Sequence, residues 1–469
     1  MSPRLIIHSF NYSPIHDERS EHSPAVALST THYLLPTILY IHIPFCKQAC
    51  SYCNFHFSTS MKTRDAVIDG ICKELRTRRG ELADGPVPSV YFGGGTPSLL
   101  TEVELGRIFA TLQEYNYLLP ATPASPQKTA YKTIRPQDHK NNQGGAAGAG
   151  NGLFPGLQAG SRPEGRGTAE ITLEANPDDL DEATIANLAA SPVNRLSIGI
   201  QSFFEEDLRF MNRAHSAGEA RAAVEKVNRA GFHDVSIDLI YGGQTTTNEM
   251  WAENLRIATD LGVNHISAYA LTVEPKTALG VNVAKGKIAD TDDAKFQRHF
   301  DMLVNHLTAA GYRHYEISNF CLPGHESRHN SGYWSGQPYL GIGPGAHGFD
   351  GNRTRRWNVS NNAAYARAWA EITSPADFAA ADGFLYDAEI LTDNDRYNEY
   401  IMTGLRRDIG VSVEDLTRLF GAEKARHFVE SQLGNVAAGL LQDVSDGTYR
   451  LSRAGLMRAD GVAGDGFVV

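Results

Sequence analysis

From residue 38 onward, short apolar runs with strand character alternate with longer amphipathic segments. Neighbouring parallel strands need long crossover connections, and amphipathic helices supply them. The pattern therefore predicts an α/β fold with a parallel sheet, either doubly wound or closed into part of a barrel. The predicted strands are Ile38–Phe45, Ser89–Phe92, Glu170–Ala175, Arg195–Gln201, Val235–Tyr241 and His265–Leu271. The clearest predicted helices are Arg64–Arg79, Glu102–Tyr115 and Ala217–Ala230.

Several of these strands end in glycine or in a polar residue. The triplet Gly93–Gly95 follows the second strand, and Glu174 and Gln201 lie at the ends of the third and fourth. Asp238 lies inside the apolar run of the fifth strand, where a charge is costly unless it is paired or faces a ligand. Because chemistry in barrel proteins collects at the C-terminal strand ends, these residues predict a ligand site at that edge.

Three cysteines lie within eight residues, on the loop that leaves the first predicted strand. Cys46, Cys50 and Cys53 can hold three corners of a small cluster, but they cannot complete a four-ligand zinc site without a distant partner. A [4Fe–4S] cluster held in this way keeps one iron open to a substrate. A zinc knuckle or three unrelated buried thiols are the alternatives. Cys72 and Cys321 stand alone in the sequence and are predicted to be structural.

Composition indicates a soluble globular protein with room for two domains, since the chain has 469 residues, 42% of them hydrophobic and 21% charged. A net charge of −11 argues against broad nucleic-acid binding. No apolar run approaches the roughly 20 residues that span a bilayer. The first residues contain no signal-peptide pattern and carry acidic side chains. The sequence therefore predicts a cytoplasmic protein without a transmembrane segment, and five cysteines do not suggest a disulfide framework.

The predicted domain organisation has four parts. Residues 117–168 hold nine glycines and six prolines without a hydrophobic period, which predicts a flexible low-complexity insertion. The predicted parts are an N-terminal extension at 1–36, a barrel at 37–275 that contains this insertion, a connecting region at 276–389, and a C-terminal helical, winged-helix-like domain at 390–469.

The CxxxCxxC spacing resembles the signature of radical S-adenosylmethionine (SAM) enzymes. In that superfamily the open iron binds the amino and carboxylate groups of SAM, and an electron from the cluster releases a deoxyadenosyl radical. Further segments resemble the oxygen-independent coproporphyrinogen III oxidase group, whose fold is a partial (β/α)6 TIM-like barrel. These segments are Tyr40–Cys46, Gly93–Pro97, Gly199–Phe203, Asp238–Gly242 and Ser267–Pro275.

The resemblance implies a set of site residues. Cys46, Cys50 and Cys53 would ligate the cluster, Glu174 would accept hydrogen bonds from the ribose hydroxyls, and Arg213 would pair with the SAM carboxylate. The residues implied to line SAM are Tyr40, Tyr52, Gly94, Gly95, Thr96, Glu174, Gln201, Arg213, Asp238 and Ala270.

The oxidase group has two branches, the true oxidases and the HemW-type heme chaperones. Oxidases carry a further cysteine two residues beyond the third cluster ligand, where this chain has Phe55. The segment His329–Trp334 matches the HNxxYW pattern of the chaperone branch, and Tyr315–Phe320, Gly343–His347 and Arg356–Asn358 are also similar to it. We therefore expect a heme chaperone. The alternatives are an oxidase that decarboxylates coproporphyrinogen III, and a non-catalytic module with a structural cluster.

The heme contacts predicted by this resemblance are His329, Tyr333 and Trp334, with His347 and His314 as lesser candidates for the iron ligand. The predicted partners are heme, heme-accepting proteins and an electron donor. One departure from the family pattern lies after the fifth strand, where Gly242-Gly243 lacks a Leu-Pro pair. That loop is expected on the catalytic face, so the departure can alter the geometry of the site.

Overall fold

The computed structural model describes residues 37–82, 85–118, 169–444 and 446–469. The predicted N-terminal extension lies outside these ranges, as does the predicted insertion apart from its first two residues. Those two, Tyr117 and Leu118, pack in the core, and the Tyr117 hydroxyl donates a hydrogen bond to the Leu75 carbonyl at 2.8 Å. Both therefore belong to the barrel rather than to the insertion.

Six parallel strands form the centre of the fold, which confirms the predicted α/β class. Each pairs with its sequence neighbour, in the order β1 to β6. The first strand stops short of the predicted Phe45, and Pro44 has no N–H to continue a ladder. The strands are β1 (Ile38–Ile43), β2 (Ser89–Gly94), β3 (Glu170–Ala175), β4 (Arg195–Gln201), β5 (Asp234–Tyr241) and β6 (His265–Ala270).

Amphipathic helices follow these strands and bury their apolar faces against the sheet. In the first helix, Val67, Ile68, Ile71 and Leu75 repeat at helical spacing and are all buried. The helices of the barrel are α1 (Arg64–Arg78), α2 (Glu102–Glu114), α3 (Glu182–Ala190), α4 (Glu205–Phe210), α5 (Ala217–Arg229), α6 (Asn248–Asp260), α7 (Ala278–Ala284) and α8 (Asp293–Ala309).

The connecting region adds six strands that the sequence did not predict. They are β7 (Arg313–Glu316), β8 (Asn319–Cys321), β9 (Tyr339–Ile342), β10 (His347–Phe349), β11 (Thr354–Asn358) and β12 (Tyr386–Ile390), with helices α9 (Arg328–Trp334), α10 (Asn362–Glu371) and α11 (Pro375–Ala379). Strand β8 pairs antiparallel with β6, whereas β9 pairs parallel with β1. The chain between β8 and β9, which contains α9, therefore passes from one edge of the six-stranded sheet to the other.

The C-terminal residues form a hydrophobic core of their own. Tyr397, Ile401, Leu416, Phe428 and Tyr449 are among its buried members. Three short antiparallel strands accompany the helices, in the order β13-β15-β14. The elements are α12 (Asp393–Leu405), β13 (Val411–Ser412), α13 (Val413–Phe420), α14 (Ala422–Ser431), α15 (Leu433–Ala437), β14 (Leu441–Val444), β15 (Thr448–Leu451), α16 (Arg453–Leu456) and α17 (Ala459–Asp465).

A buried glutamate attaches α1 to the added strands. Glu74 is fully buried, and its carboxylate accepts hydrogen bonds from Arg78 (2.8 Å) and from the Tyr365 hydroxyl (2.6 Å). It also accepts from the Gly343 backbone (2.9 Å) and from the Asn358 amide (2.8 Å). Removing one partner of a buried ion pair leaves the other charge uncompensated. Glu74 therefore stabilises the contact between the barrel and β9–β11.

We predict that Glu74→Gln lowers the free energy of unfolding by about 3 to 5 kcal/mol, because the substitution leaves part of a buried arginine uncompensated. Urea denaturation followed by circular dichroism measures this. Glu225→Gln is the matched control, since Glu225 forms an exposed pair with Arg229 at the same helical spacing. Equal effects of the two substitutions would contradict the role assigned to Glu74.

Candidate metal and SAM site

The three cysteines lie on a loop that is fixed by backbone hydrogen bonds. The Cys46 N–H donates to the Ser58 carbonyl at 3.1 Å, and the Ser51 N–H donates to the Met211 carbonyl at 3.0 Å. Next to Met211, the Asn212 amide donates to the Ala49 carbonyl at 2.7 Å. All three thiols are free and half-buried. The loop thus holds three thiols at the C-terminal edge of the sheet, as predicted.

The glycine triplet Gly93–Gly95, at the end of β2, packs directly against this loop. The Gly95 N–H donates to the Ile43 carbonyl (2.9 Å), and the Thr96 N–H donates to the Phe45 carbonyl (2.7 Å). A Cβ atom on Gly95 would lie only 2.6 Å from the Phe45 carbonyl oxygen. Gly94 has a φ of +105°, which strongly favours glycine. Glycine is therefore required here for close packing of the loop and for its backbone conformation.

Two of the cysteine sulfurs are joined by a chain of hydrogen bonds. The Thr96 hydroxyl donates to Cys46 Sγ at 3.4 Å, and Arg213 Nη1 donates to Cys50 Sγ at 3.3 Å. Asn176 connects these donors, because its Nδ2 donates to Thr96 Oγ1 (3.3 Å) and its Oδ1 accepts from Arg213 Nη2 (2.6 Å). Sequence reasoning missed Asn176. Its position directly after β3, beside Glu174, was the available signal.

The surroundings of Cys46 and Cys53 favour the neutral form of these two thiols in the absence of a metal. Burial raises the pKa of Cys53 to about 12 and also raises the pKa of Cys46. Burial likewise raises the pKa of Tyr52, against the opposing influence of Arg213. Because metal ligation requires thiolates, positive charge at the site must compensate for this cost. Arg213 supplies one such charge next to Cys50.

Glu174 is the fifth of the six residues of β3 and is half-buried. Its carboxylate accepts a hydrogen bond from the Tyr91 hydroxyl at 2.7 Å and another from the Gly94 N–H at 3.2 Å. Burial, together with the nearby charge of Asp238, raises the pKa of Glu174 to about 7. Beneath it, the rings of Tyr40 and Tyr91 stack with centroids 6.1 Å apart. Glu174 is thus a half-buried acceptor at the C-terminal edge, below the glycine triplet.

Strand β4 ends in a strained residue. Gln201 has a φ of +64°, which is rare for a residue with a side chain, and the ladder between β4 and β5 is irregular at this point. Such a conformation costs about 1–3 kcal/mol and tends to occur at functional sites. The Gln201 amide lies over Gly199, where an added Cβ atom would be 2.9 Å from Nε2. The same Cβ atom would lie 3.2 Å from Arg213 Nη2, so the Gln201 amide and the Arg213 guanidinium both border Gly199.

The last two predicted SAM residues lie on β5 and β6. Asp238 is located three residues before the end of β5 and accepts hydrogen bonds from the Ser197 hydroxyl at 3.3 and 3.4 Å. Burial raises its pKa to about 6. Ala270 ends β6 and is half-buried. Nine of the ten residues therefore lie on the cysteine loop, on the six strands or directly after them, and Arg213 follows α4.

The unusual loop after β5 is also well packed. Gly242 has a φ of +76°, and its N–H donates to His299 Nδ1 at 3.2 Å. The hydroxyls of Thr245 and Thr246 donate to the buried carboxylate of Asp207 at 2.6 and 2.9 Å. Asp207 thus fixes the loop that lacks the Leu-Pro pair.

The donor set fits a cluster and a nucleoside ligand such as SAM. Three thiols extend from one loop, and two of them receive hydrogen bonds from neighbouring side chains. Glycines without Cβ atoms, a threonine hydroxyl, a carboxylate and an arginine border the adjacent space. Within the described ranges, no three His, Cys, Asp or Glu side chains lie close enough together to hold a single metal ion.

The predicted heme residues on α9 lie elsewhere, at the N-terminal ends of the strands. His329 Nδ1 hydrogen-bonds with the hydroxyl of Ser89, the first residue of β2, at 2.9 Å. His329 Nε2 hydrogen-bonds with the Tyr333 hydroxyl at 3.1 Å, and its ring stacks on Tyr91 with centroids 4.9 Å apart. Burial lowers the pKa of His329 to about 3. In this arrangement neither ring nitrogen is free to bind iron, and His329 instead attaches α9 to the barrel interior.

The other candidates for contact with heme lie in different surroundings. His314 is stacked on Phe320 with centroids 4.0 Å apart, and its Nε2 hydrogen-bonds with the Ile317 carbonyl at 3.1 Å. Trp334 lies against the Arg406 guanidinium, 5.9 Å from the ring centroid. His347 is half-buried and stacks with Trp357 at 6.0 Å. The structure therefore distributes the candidates over three places rather than bringing them together.

In the part of the chain that the structure describes, no helix combines the length and apolar character needed to cross a membrane.

Comparison with known proteins agrees with this geometry. Residues 40–258 match the radical SAM superfamily. The fold resembles that of coproporphyrinogen III oxidase (HemN) from Escherichia coli, with a TM-score of 0.69 over 92% of this chain and 90% of that chain, at 20% sequence identity. The fold and the thiol site therefore define a radical SAM protein, as the sequence predicted.

Two curated relatives indicate which family within this superfamily the chain belongs to. Heme chaperone HemW of Mycobacterium tuberculosis is 33% identical over 344 residues, which cover 72% of this chain and 76% of the relative. Heme chaperone HemW of Synechocystis is 30% identical over 412 residues, or 85% of each chain. The chain belongs to the HemW family.

We predict that Asn176→Ala makes the midpoint potential of the reconstituted cluster more negative, because hydrogen bonds to cluster sulfurs raise it and Asn176 orients both donors. Potentiometric titration followed by electron paramagnetic resonance measures this. Asn194→Ala is the control, since the Asn194 side chain hydrogen-bonds backbone groups near the opposite strand ends, the Ala169 carbonyl and the Ile171 N–H. An unchanged potential in Asn176→Ala would show that Thr96 and Arg213 are positioned without it.

Proposed function

We propose that this protein is a heme chaperone, which binds heme and transfers it to acceptor proteins while carrying a [4Fe–4S] cluster and binding SAM. The observation that carries the proposal is the extent of similarity to curated heme chaperones, up to 85% of the chain. Phe55 supports it, because it occupies the position where oxidases carry a further cysteine and is 41% exposed beside the cluster loop.

The cluster and SAM would use this chain's residues in distinct ways. Cys46, Cys50 and Cys53 would hold the cluster, and the glycine triplet with Thr96 would leave room for the methionine end of SAM. Arg213 would pair with the carboxylate of SAM. Glu174 would accept hydrogen bonds from the ribose. When both groups are bound, the cluster supplies the electron for reductive cleavage of SAM.

The partners follow from the same proposal. Heme is the cargo, heme-accepting proteins receive it, and an electron donor reduces the cluster. A cytoplasmic location accords with an oxygen-sensitive cluster in a reducing compartment. The alternative is an oxygen-independent coproporphyrinogen III oxidase, for which the shared fold is the supporting observation.

We expect the affinity for SAM to rise about tenfold between about pH 6 and pH 8, because the ionised Glu174 accepts ribose hydroxyls better than the protonated form. The sign follows from its pKa of about 7, since the free site is mostly protonated below that pH. Isothermal titration with the reconstituted protein measures the affinity, and Glu174→Gln should abolish the rise.

The matched control for that experiment is Glu316→Gln. Burial also raises the pKa of Glu316 to about 7, but this carboxyl lies on β7 and hydrogen-bonds the Asn319 side chain. Glu316→Gln should retain the pH dependence. If Glu174→Gln retained it as well, another group would be responsible. Asp238, whose pKa burial raises to about 6, would be the next group to test.

The proposed function is tested by titrating heme into the anaerobically reconstituted protein and following the Soret band. We expect saturable binding of about one heme per chain. Transfer of this heme to an apo-hemoprotein would then demonstrate chaperone activity. Without specific heme binding the proposal fails, and conversion of coproporphyrinogen III with SAM and a reductant would instead support the oxidase alternative.

A further inference from the structure

The histidine rings of the described residues differ in whether they are already hydrogen-bonded. The buried or half-buried histidines are engaged through at least one ring nitrogen, with a single exception within residues 37–82, 85–118, 169–444 and 446–469. That exception is His347, whose ring makes no hydrogen bond in those ranges, and whose Nδ1 is buried. By contrast, His42 and His329 use both ring nitrogens. His347 thus has one ring nitrogen, Nε2, that is neither buried nor occupied by a hydrogen bond within the described ranges.

The environment of His347 keeps its ring in the form that binds metals. Burial, together with the positive charge of Arg355, lowers the pKa of His347 to about 4. The imidazole is therefore neutral at physiological pH, and a neutral imidazole can donate a lone pair to iron. A fully exposed histidine would offer the same nitrogen but no neighbouring side chains against which a ligand could pack.

Strand pairing places aromatic side chains on the same face as His347. His347 pairs with Trp357 across β10 and β11, and Phe349 pairs with Tyr339 across β10 and β9. Directly paired residues present their side chains on one face of a sheet. All four side chains are half-buried, so each retains accessible surface. A flat porphyrin can pack on such aromatic rings.

The side chains of β11 alternate between the two faces of the sheet, and one face packs toward α1. Arg356 forms an ion pair with Glu81, and Asn358 donates to Glu74, so both point toward α1. Trp357 lies between them in sequence and therefore points the other way.

On the other face, Arg355 is buried, lies 5.9 Å from the Phe349 ring centroid and forms ion pairs with Glu389 and Glu399. His347 and Trp357, by contrast, are half-buried. On the same face, the Tyr339 ring contacts Tyr333 with centroids 4.8 Å apart. The aromatic face thus continues to the Tyr333 end of α9.

We propose that His347 is the axial ligand of heme iron, and that the porphyrin packs on the aromatic face formed by Tyr339, Phe349 and Trp357. This inference rests on the proposed function, since it names the site at which that function binds its cargo. Under this proposal the HNxxYW segment does not supply the iron ligand. Tyr333 borders the face, while His329 positions α9.

The test is a titration of ferric protoporphyrin IX into the full-length reconstituted protein and its variants. We expect His347→Ala to lower heme affinity by at least about tenfold. Added imidazole should restore a six-coordinate or low-spin spectrum, because it replaces the missing ligand. His347→Met should retain heme with a changed Soret band and magnetic circular dichroism spectrum, since the substitution keeps a side chain that can bind iron.

Two controls make the result decisive. His233→Ala removes an exposed histidine and should leave heme binding unchanged. His329→Gln should leave the ligand spectrum unchanged even where it lowers stability. The inference is overturned if His347→Ala binds heme with wild-type affinity and spectrum, or if the ligand spectrum changes in His329→Gln instead. A wild-type protein that binds no heme would refute the proposed function itself, which is a separate outcome.

Discussion

A sheet of six parallel strands that does not close on itself leaves unpaired N–H and C=O groups along two edges. In this protein a single stretch of chain covers both edges. Strand β8 pairs with β6 at one edge and β9 pairs with β1 at the other. The intervening chain carries α9 to the N-terminal strand ends, where His329 hydrogen-bonds Ser89. Covering the edges thus also closes the base of the barrel and leaves the C-terminal end for ligands.

The interior that results contains ionisable and polar side chains. Glu174 and Asp238 lie among tyrosines, and burial raises the pKa of both carboxyls. Buried polar groups are tolerated when they are hydrogen-bonded, and the Tyr91 hydroxyl and the Ser197 hydroxyl provide those bonds. These two carboxyls and the strained backbone of Gln201 make the fold less stable than an interior of apolar side chains would. Such costs are expected where an interior is shaped for a ligand.

The cysteine loop depends on residues that follow two strands and one helix. Thr96 follows β2, Asn176 follows β3, and Arg213 follows α4, yet one chain of hydrogen bonds joins them to Cys46 and Cys50. The parallel arrangement of the strands makes this possible, since it brings every C-terminal end to the same edge. A change at any one of these positions therefore affects the sulfur environment on the neighbouring loop.

Sequence by itself determined the features that depend on local pattern. The alternation of apolar runs and amphipathic segments predicted the six strands, and the spacing of Cys46, Cys50 and Cys53 predicted one three-thiol loop. Only the tertiary structure revealed the strands β7 to β12, the bridging role of Asn176, and the difference between His329 and His347. Their signals were weak because β8 and β10 have only three residues each, and because the deciding contacts join distant positions. His329 and Ser89, for example, lie 240 residues apart in the chain. Whether a histidine is already hydrogen-bonded or free for a ligand depends on which residues surround it after folding, and neither spacing nor motif encodes that.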